Sequence, residues 1–155
     1  MDSIVREVLT RATDEPSAHA AAPMTGYGTD DQELERILAG LRTNIKIVGV
    51  GGGGSNTIDR LVEAGVVGAE MYAANTDAQH LLIVRAPHKI LLGRRSTRGL
   101  GAGALPQIGE EAAREAEEEL RKALQGADLV FITCGLGGGT GTGGAPVVAQ
   151  LAKEL

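Results

Sequence analysis

The sequence predicts an α/β domain, a parallel sheet with helices on both faces, preceded by a helical N-terminal extension. Three observations lead there. Four short, largely apolar runs, at residues 45–50, 69–74, 89–92 and 129–134, have the length of buried strands. Around them apolar residues recur at three- and four-residue spacing, the mark of helices that bury one face. The first and last runs empty into turns made almost wholly of glycine, each opening a helical stretch, which is the alternation of strand and helix that builds a parallel sheet.

In chain order, Ile4, Val5, Val8 and Leu9 line one side of a short helix over residues 1–12, and residues 18–28, rich in Ala, Pro, Gly and Thr, read as a flexible linker. Asp30 and Glu33 resemble an N-cap pair ahead of Leu34, Ile37, Leu38 and Leu41 at helical spacing. The expected division is therefore an extension over residues 1–43 and a domain over residues 44–155. Strand 45–50 feeds the loop Gly51-Gly52-Gly53-Gly54-Ser55-Asn56, after which Ile58, Leu61 and Val62 mark a helix that Gly65 ends. Strand 69–74 runs into Asn75-Thr76-Asp77-Ala78-Gln79. Strand 89–92 follows Pro87 and leads to a second glycine-bearing loop, residues 99–106. From Pro106, suited to a first helical turn, Ile108, Ala112, Ala113, Ala116, Leu120 and Leu124 draw one apolar stripe up to Gly126. Glu117 with Arg121 and Glu118 with Lys122 are i,i+4 pairs that make Glu117-Glu118-Glu119 a solvated face. Strand 129–134 then enters residues 135–143, and Val147, Val148, Leu151 and Leu155 pattern the last helix.

Composition narrows the function. With net charge −5 and no block of Lys or Arg, the chain lacks the electrostatic footprint for duplex nucleic acid or an anionic membrane. Only three aromatic residues, Tyr27, Tyr72 and Phe131, leave no base-stacking surface. His19, His80 and His88 are scattered without ligand spacing, so neither a metal site nor other chemistry is assigned to them. The single cysteine, Cys134, is expected to be a small buried hydrophobe in a reducing compartment. No apolar run nears the roughly 18 residues of a membrane span, and residues 1–22 lack a signal-peptide pattern; a cytoplasmic protein without membrane insertion is expected.

The chemistry is expected where glycine is densest. Six glycines fall within the nine residues 135–143, where either positive φ or close backbone approach is needed. Bare N–H groups at a helix N-terminus form a concave donor set in the positive field of the helix dipole, which suits phosphate, and Thr140 and Thr142 add hydroxyls. With strand order 3-2-1-4, this turn and residues 51–56 would face each other at the crevice beyond strands one and four. Taken alone, Gly49, Gly51 and Gly54 satisfy a G-x-G-x-x-G pattern with Asp77 near the end of strand two, so an NAD- or FAD-binding Rossmann domain is the alternative; it leaves residues 135–143 without a purpose. No Gly-Lys-Ser/Thr follows, so a P-loop is excluded. Glycines kept only for tight strand-to-helix packing are the plainer reading of the first loop.

Gly137-Gly138-Gly139-Thr140-Gly141-Thr142-Gly143 resembles the signature of the tubulin/FtsZ GTPases, and the resemblance covers nearly all of residues 44–155, with residues 51–56, 75–79 and 99–106 matching further phosphate-side loops in order. The likeness is to the FtsZ branch, because the first loop is glycine up to Ser55-Asn56 and the second motif is Asn-Thr-Asp; Leu105 before Pro106 resembles archaeal members. It implies a Rossmann-like fold and a GTP/GDP site. Gly52, Gly53, Gly54, Ser55 and Asn56 would meet the α- and β-phosphates; Gly138, Gly139, Thr140, Gly141, Thr142 and Gly143 would clamp the β- and γ-phosphates. Asn75 and Asp77 would lie near the phosphate and a hydrated Mg²⁺, with no protein ligand to the metal. Gly103 and Ala104 would sense the γ-phosphate, while Arg94, Arg95 and Arg98 are expected to be solvated.

The resemblance further implies head-to-tail self-assembly into filaments of the mid-cell division ring, GTP hydrolysis between subunits, and membrane-tethering division partners. Base recognition and the catalytic acids lie later in the family's domain than Leu155. No residue here is therefore given a catalytic role, and the 155-residue chain alone is expected to bind GTP weakly and to turn it over negligibly.

Overall fold

The structure, a computed structural model, describes residues 29–155. By packing the chain divides into two units, Met1–Arg42 and Thr43–Leu155. The helix expected at residues 1–12 and the linker at 18–28 lie outside the described residues. In the first unit α1 (Thr29–Gly40) forms over the expected apolar spacing. It starts before Asp30, so Asp30 and Asp31 sit in its first turn, where carboxylates meet the positive end of the helix.

The second unit runs β1 (Ile45–Val50), α2 (Gly51–Glu63), β2 (Ala69–Asn75), α3 (Ala78–Ile83), β3 (His88–Leu91), α4 (Pro106–Glu115), α5 (Glu117–Leu124), β4 (Leu129–Cys134) and α6 (Thr140–Glu154). The sheet is wholly parallel, in the order β3-β2-β1-β4 expected from the sequence. Alternate strand residues feed opposite faces. Val48, Val50, Tyr72 and Ala74 pack with Ala112, Leu120 and Val148 of α4, α5 and α6, while Met71 and Ala73 pack with Ile58 and Leu81 of α2 and α3.

Several expectations are corrected. The glycines of residues 51–54 are the first turn of α2 rather than a loop before it; a Cβ on Gly49 would overlap the carbonyl oxygen of Gly54, so without side chains the helix starts directly at the strand end. The six-residue α3 was not expected, being too short for a helical period; Asp77 starts it by accepting the His80 amide at 3.0 Å. The stripe from Pro106 is divided at Ala116 (φ −95°, ψ 18°), which stays buried, so two helices share one apolar face. Arg121 pairs with Glu117 at 2.9 Å and also with Glu154 of α6, whereas the expected Glu118–Lys122 pair does not form among the described residues and both side chains stay exposed, the contact being worth only a few tenths of a kcal/mol.

Among the described residues β4 has a neighbour on one side only. Phe131 is 53% exposed, and Cys134 is part-exposed rather than buried. Lys46, in an otherwise apolar strand, is buried. Its ammonium donates to the carbonyls of Ala123 (2.7 Å) and Gln125 (3.0 Å) at the C-terminal end of α5 and lies 3.6 Å from Glu70, so the charge is met by the helix's negative end and a carboxylate.

Candidate functional site

Val50 and Cys134 are opposite one another in the β1/β4 register, so the two glycine-rich turns leave neighbouring strands side by side. They meet backbone to backbone. A Cβ on Gly51, whose φ is +75°, would stand 2.7 Å from the Gly141 nitrogen, and one on Gly53 would stand 3.1 Å from the Gly135 Cα. The turn after β3 joins them: the Gly139 amide donates to the Gly103 carbonyl (2.9 Å), and a Cβ on Gly139 would lie 2.6 Å from the same oxygen. The end of β2 closes the ring. Gly101 donates to the Thr76 carbonyl (3.1 Å), Ala78 to that of Gly99 (3.0 Å), and the Thr76 and Thr140 hydroxyls lie 2.6 Å apart in a buried pair. All four stretches singled out in the sequence thus meet at the carboxyl ends of the strands, where open α/β sheets carry their ligands.

The individual residues divide by what surrounds them. Gly52, Gly53 and Asn56 are exposed on the first turn of α2, whereas Gly54 and Ser55 are buried, Gly54 because a Cβ would overlap the Thr133 carbonyl oxygen. The Ser55 hydroxyl is fully buried and has no hydrogen-bond partner among the described residues. Gly138 is exposed, with nothing within 4 Å of where its Cβ would be, and Gly103 and Gly137 are equally open. Ala104 is exposed beside Gly103. Gly139, Thr140, Gly141 and Gly143 are buried. The Gly143 amide is used within α6, donating to Gly139 (3.0 Å), and its missing side chain makes room for the Pro106 carbonyl of α4. Thr142 accepts the Gly137 amide on its hydroxyl (3.0 Å), which leaves the hydroxyl proton to be donated elsewhere. Asn75 is buried at the end of β2, and Asp77, half-buried, caps α3.

Positive field at this site comes from backbone. The N-termini of α2 and α6 converge there, and no Lys or Arg lies within the three glycine-bearing turns. Arg94, Arg95 and Arg98 are exposed, with Arg94 3.6 Å from Glu119. Glu115 accepts the amides of Arg95 (2.7 Å) and Ser96 (3.1 Å), anchoring the segment that leads into the third turn; the Arg95 amide, then that of Ser96, hold its carboxyl below the usual range despite some desolvation. Among the described residues no cluster of three His, Cys, Asp or Glu could hold a metal ion. The donor set fits a phosphate chain: backbone amides at two helix N-termini, open space over Gly103, Gly137 and Gly138 among the described residues, and hydroxyls at the edge.

Two participants escaped sequence reading. Thr76 carries the hydroxyl contact to Thr140, and His80 bridges Asn75 and Asn56. Thr76 lay inside the Asn-Thr-Asp motif without a role of its own, and for His80 the only sequence signal was the Asp77-to-His80 spacing, which an N-cap shares with many turns.

The profile of the tubulin/FtsZ family GTPase domain matches residues 44–155. The chain belongs to the tubulin/FtsZ family. It is 55% identical to the cell division protein FtsZ 1 of Archaeoglobus fulgidus, over 99% of this chain and 41% of that protein, and 54% identical to that of Thermococcus kodakarensis, over 100% and 41%. An empty FtsZ dimer from M. jannaschii has the same fold, with a TM-score of 0.74 at 55% identity over 83% of this chain and 37% of that one. GDP-bound CetZ1 from Haloferax volcanii matches with a TM-score of 0.65 at 33% identity over 73% and 37%. The chain spans about two fifths of the length of its FtsZ relatives and corresponds to the N-terminal part of the GTPase domain. The FtsZ relationship displaces the dinucleotide reading, since residues 135–143 now have the place in the fold that reading could not give them.

Proposed function

We propose that this chain provides the phosphate-binding half of a GTP site in a self-assembling cell-division GTPase. The observation behind the reading is the pair of glycine-rich turns that follow Val50 and Cys134, packed backbone to backbone at two helix N-termini. Gly52, Gly53 and Asn56 offer donors from α2; Gly138 offers one from the turn before α6, and Thr140 and Thr142 offer them from its first turn; Gly54, Ser55, Gly139, Gly141 and Gly143 shape the backbone that aims them. Gly103 and Ala104 flank the open side, and because the Gly103 carbonyl holds the Gly139 amide, a phosphate drawing on that amide would loosen the third turn. Asn75 and Asp77 stand where a Mg²⁺ carried by the phosphates and its water shell would come. The metal would neutralise charge on the phosphates, as no Lys or Arg does so in the turns.

The domain reading that goes with this is an extension over residues 1–43 and a partial GTP-binding domain over residues 44–155. Self-assembly is carried over from relatives described as an FtsZ dimer and as a CetZ2 protofilament bound to GTPγS. Hydrolysis between stacked subunits, a place at the division ring in the cytoplasm and recruitment by membrane-tethered partners belong to the same reading. Among the described residues no helix is long and apolar enough to cross a membrane. Calorimetric titration of the chain with GTP, Mg-tripolyphosphate and NAD tests it. Weak saturable binding of the first two and none of NAD is expected; binding of NAD with equal or greater affinity overturns it.

A further inference from the structure

His80 stands third in α3, half-buried, with its ring against the first turn of α2: a Cβ on Gly52 would lie 3.7 Å from the imidazole Nδ1 and Cε1. Both ring nitrogens are engaged. Nδ1 is 3.1 Å from the Asn75 amide nitrogen, and Nε2 is 2.9 Å from the Asn56 side-chain oxygen. The direction of these bonds follows from the buried end of the chain. The Asn75 side-chain oxygen accepts the backbone amides of Thr76 (2.9 Å) and, more weakly, Asp77 (3.4 Å), so its NH₂ group must be what faces the ring. Nδ1 therefore accepts, the single ring proton is on Nε2, and Asn56 accepts that proton. Asn56 is thereby fixed with its oxygen toward His80, and its own NH₂ is left to donate on the exposed face of α2.

We infer that His80 is a positioning residue of the phosphate site, acting as the neutral Nε2–H tautomer to transmit the backbone-anchored orientation of Asn75 to Asn56. This rests on the phosphate-site reading above and adds to it a side chain that reaches the ligand only through its neighbours. The chain of bonds runs from the end of β2 through α3 to α2, so it also sets the distance between the Asn-Thr-Asp stretch and the glycine turn. An imidazolium would place a second donor against the Asn75 NH₂ and break the relay. A glutamine, which carries one donor and one acceptor at similar separation, would keep it.

The test uses the whole chain with Mg-tripolyphosphate as probe. In ¹⁵N-histidine NMR, His80 should show a pyridine-type Nδ1 and a pyrrole-type Nε2; an Nδ1–H tautomer, or a rapidly exchanging mixture, overturns the relay. H80A should weaken tripolyphosphate binding about 3- to 10-fold, the loss of one ordinary hydrogen bond's effect, with H80Q within about 2-fold of the unsubstituted chain and N56A/H80A no weaker than N56A. Equal binding by H80A, or equal losses in H80A and H80Q, overturns the inference while leaving the phosphate site standing. If the unsubstituted chain itself fails to bind tripolyphosphate, the phosphate-site reading falls and the role of His80 falls with it.

Discussion

Gly143 and Gly138 belong to one glycine-rich stretch, yet their missing side chains serve opposite ends. Along the seam between α4 and α6, Gly109, Gly139 and Gly143 are bare because backbone from the facing segment occupies the space a Cβ would need. On the open rim, Gly103, Gly137 and Gly138 have nothing within 4 Å of that position. The seam glycines let two helices approach until carbonyls touch Cα atoms, which holds α6 so that its N-terminus points at the crevice. The rim glycines leave that N-terminus uncovered. Glycine density by itself marks a place where backbone must come close to something; in this molecule the something is the protein's own backbone on one side and open space on the other. A packing role and the proposed ligand role are therefore not rival explanations of the motif, since different glycines would carry each.

The contrast can be broken most sharply at Gly143. Placing a methyl against the Pro106 carbonyl forces α6 away from α4, and G143A is expected to lose at least about 3 kcal/mol, lowering the thermal midpoint by roughly 10 °C. An unchanged melting curve would mean that the seam is not close-packed. A smaller effect is expected at the boundary between the two regions. T76V keeps the side chain's shape at a fully buried site but leaves the Thr140 hydroxyl without its partner, costing about 1–2 kcal/mol in urea unfolding. The smallest change in stability belongs to the rim: G138A should unfold within about 0.5 kcal/mol of the unsubstituted chain, while its affinity for GTP drops several-fold because the methyl enters the open space. If G138A instead unfolded as readily as G143A, rim and seam would be one region and the division drawn here would fail.

Much of this was legible beforehand because the signals are local. The strand-length aliphatic runs, the stripe from Ile108 to Leu124 and the helix-ending Gly126, at φ +74°, depend on neighbours a few residues away, and the sheet order follows from the way such units wind. The break at Ala116 was not legible, since a buried alanine suits one long helix as well as two short ones. Nor was Lys46, whose partners Ala123 and Gln125 are 77 and 79 residues distant.

What the sequence determined by itself was the four strands, the longer apolar helical stripes between them, the parallel order, and the four stretches that meet at the carboxyl ends of the strands, together with the family they mark. Only the folded chain decided which way each bare Cα faces, and that His80, without ligand spacing in the sequence, joins Asn75 five residues before it to Asn56 twenty-four before it. The reason is physical. Backbone preference and hydrophobic period act over one or two turns of chain and are written in adjacent residues, whereas the space beside an atom and the partner of a ring nitrogen are set by segments that become neighbours only when the sheet has formed.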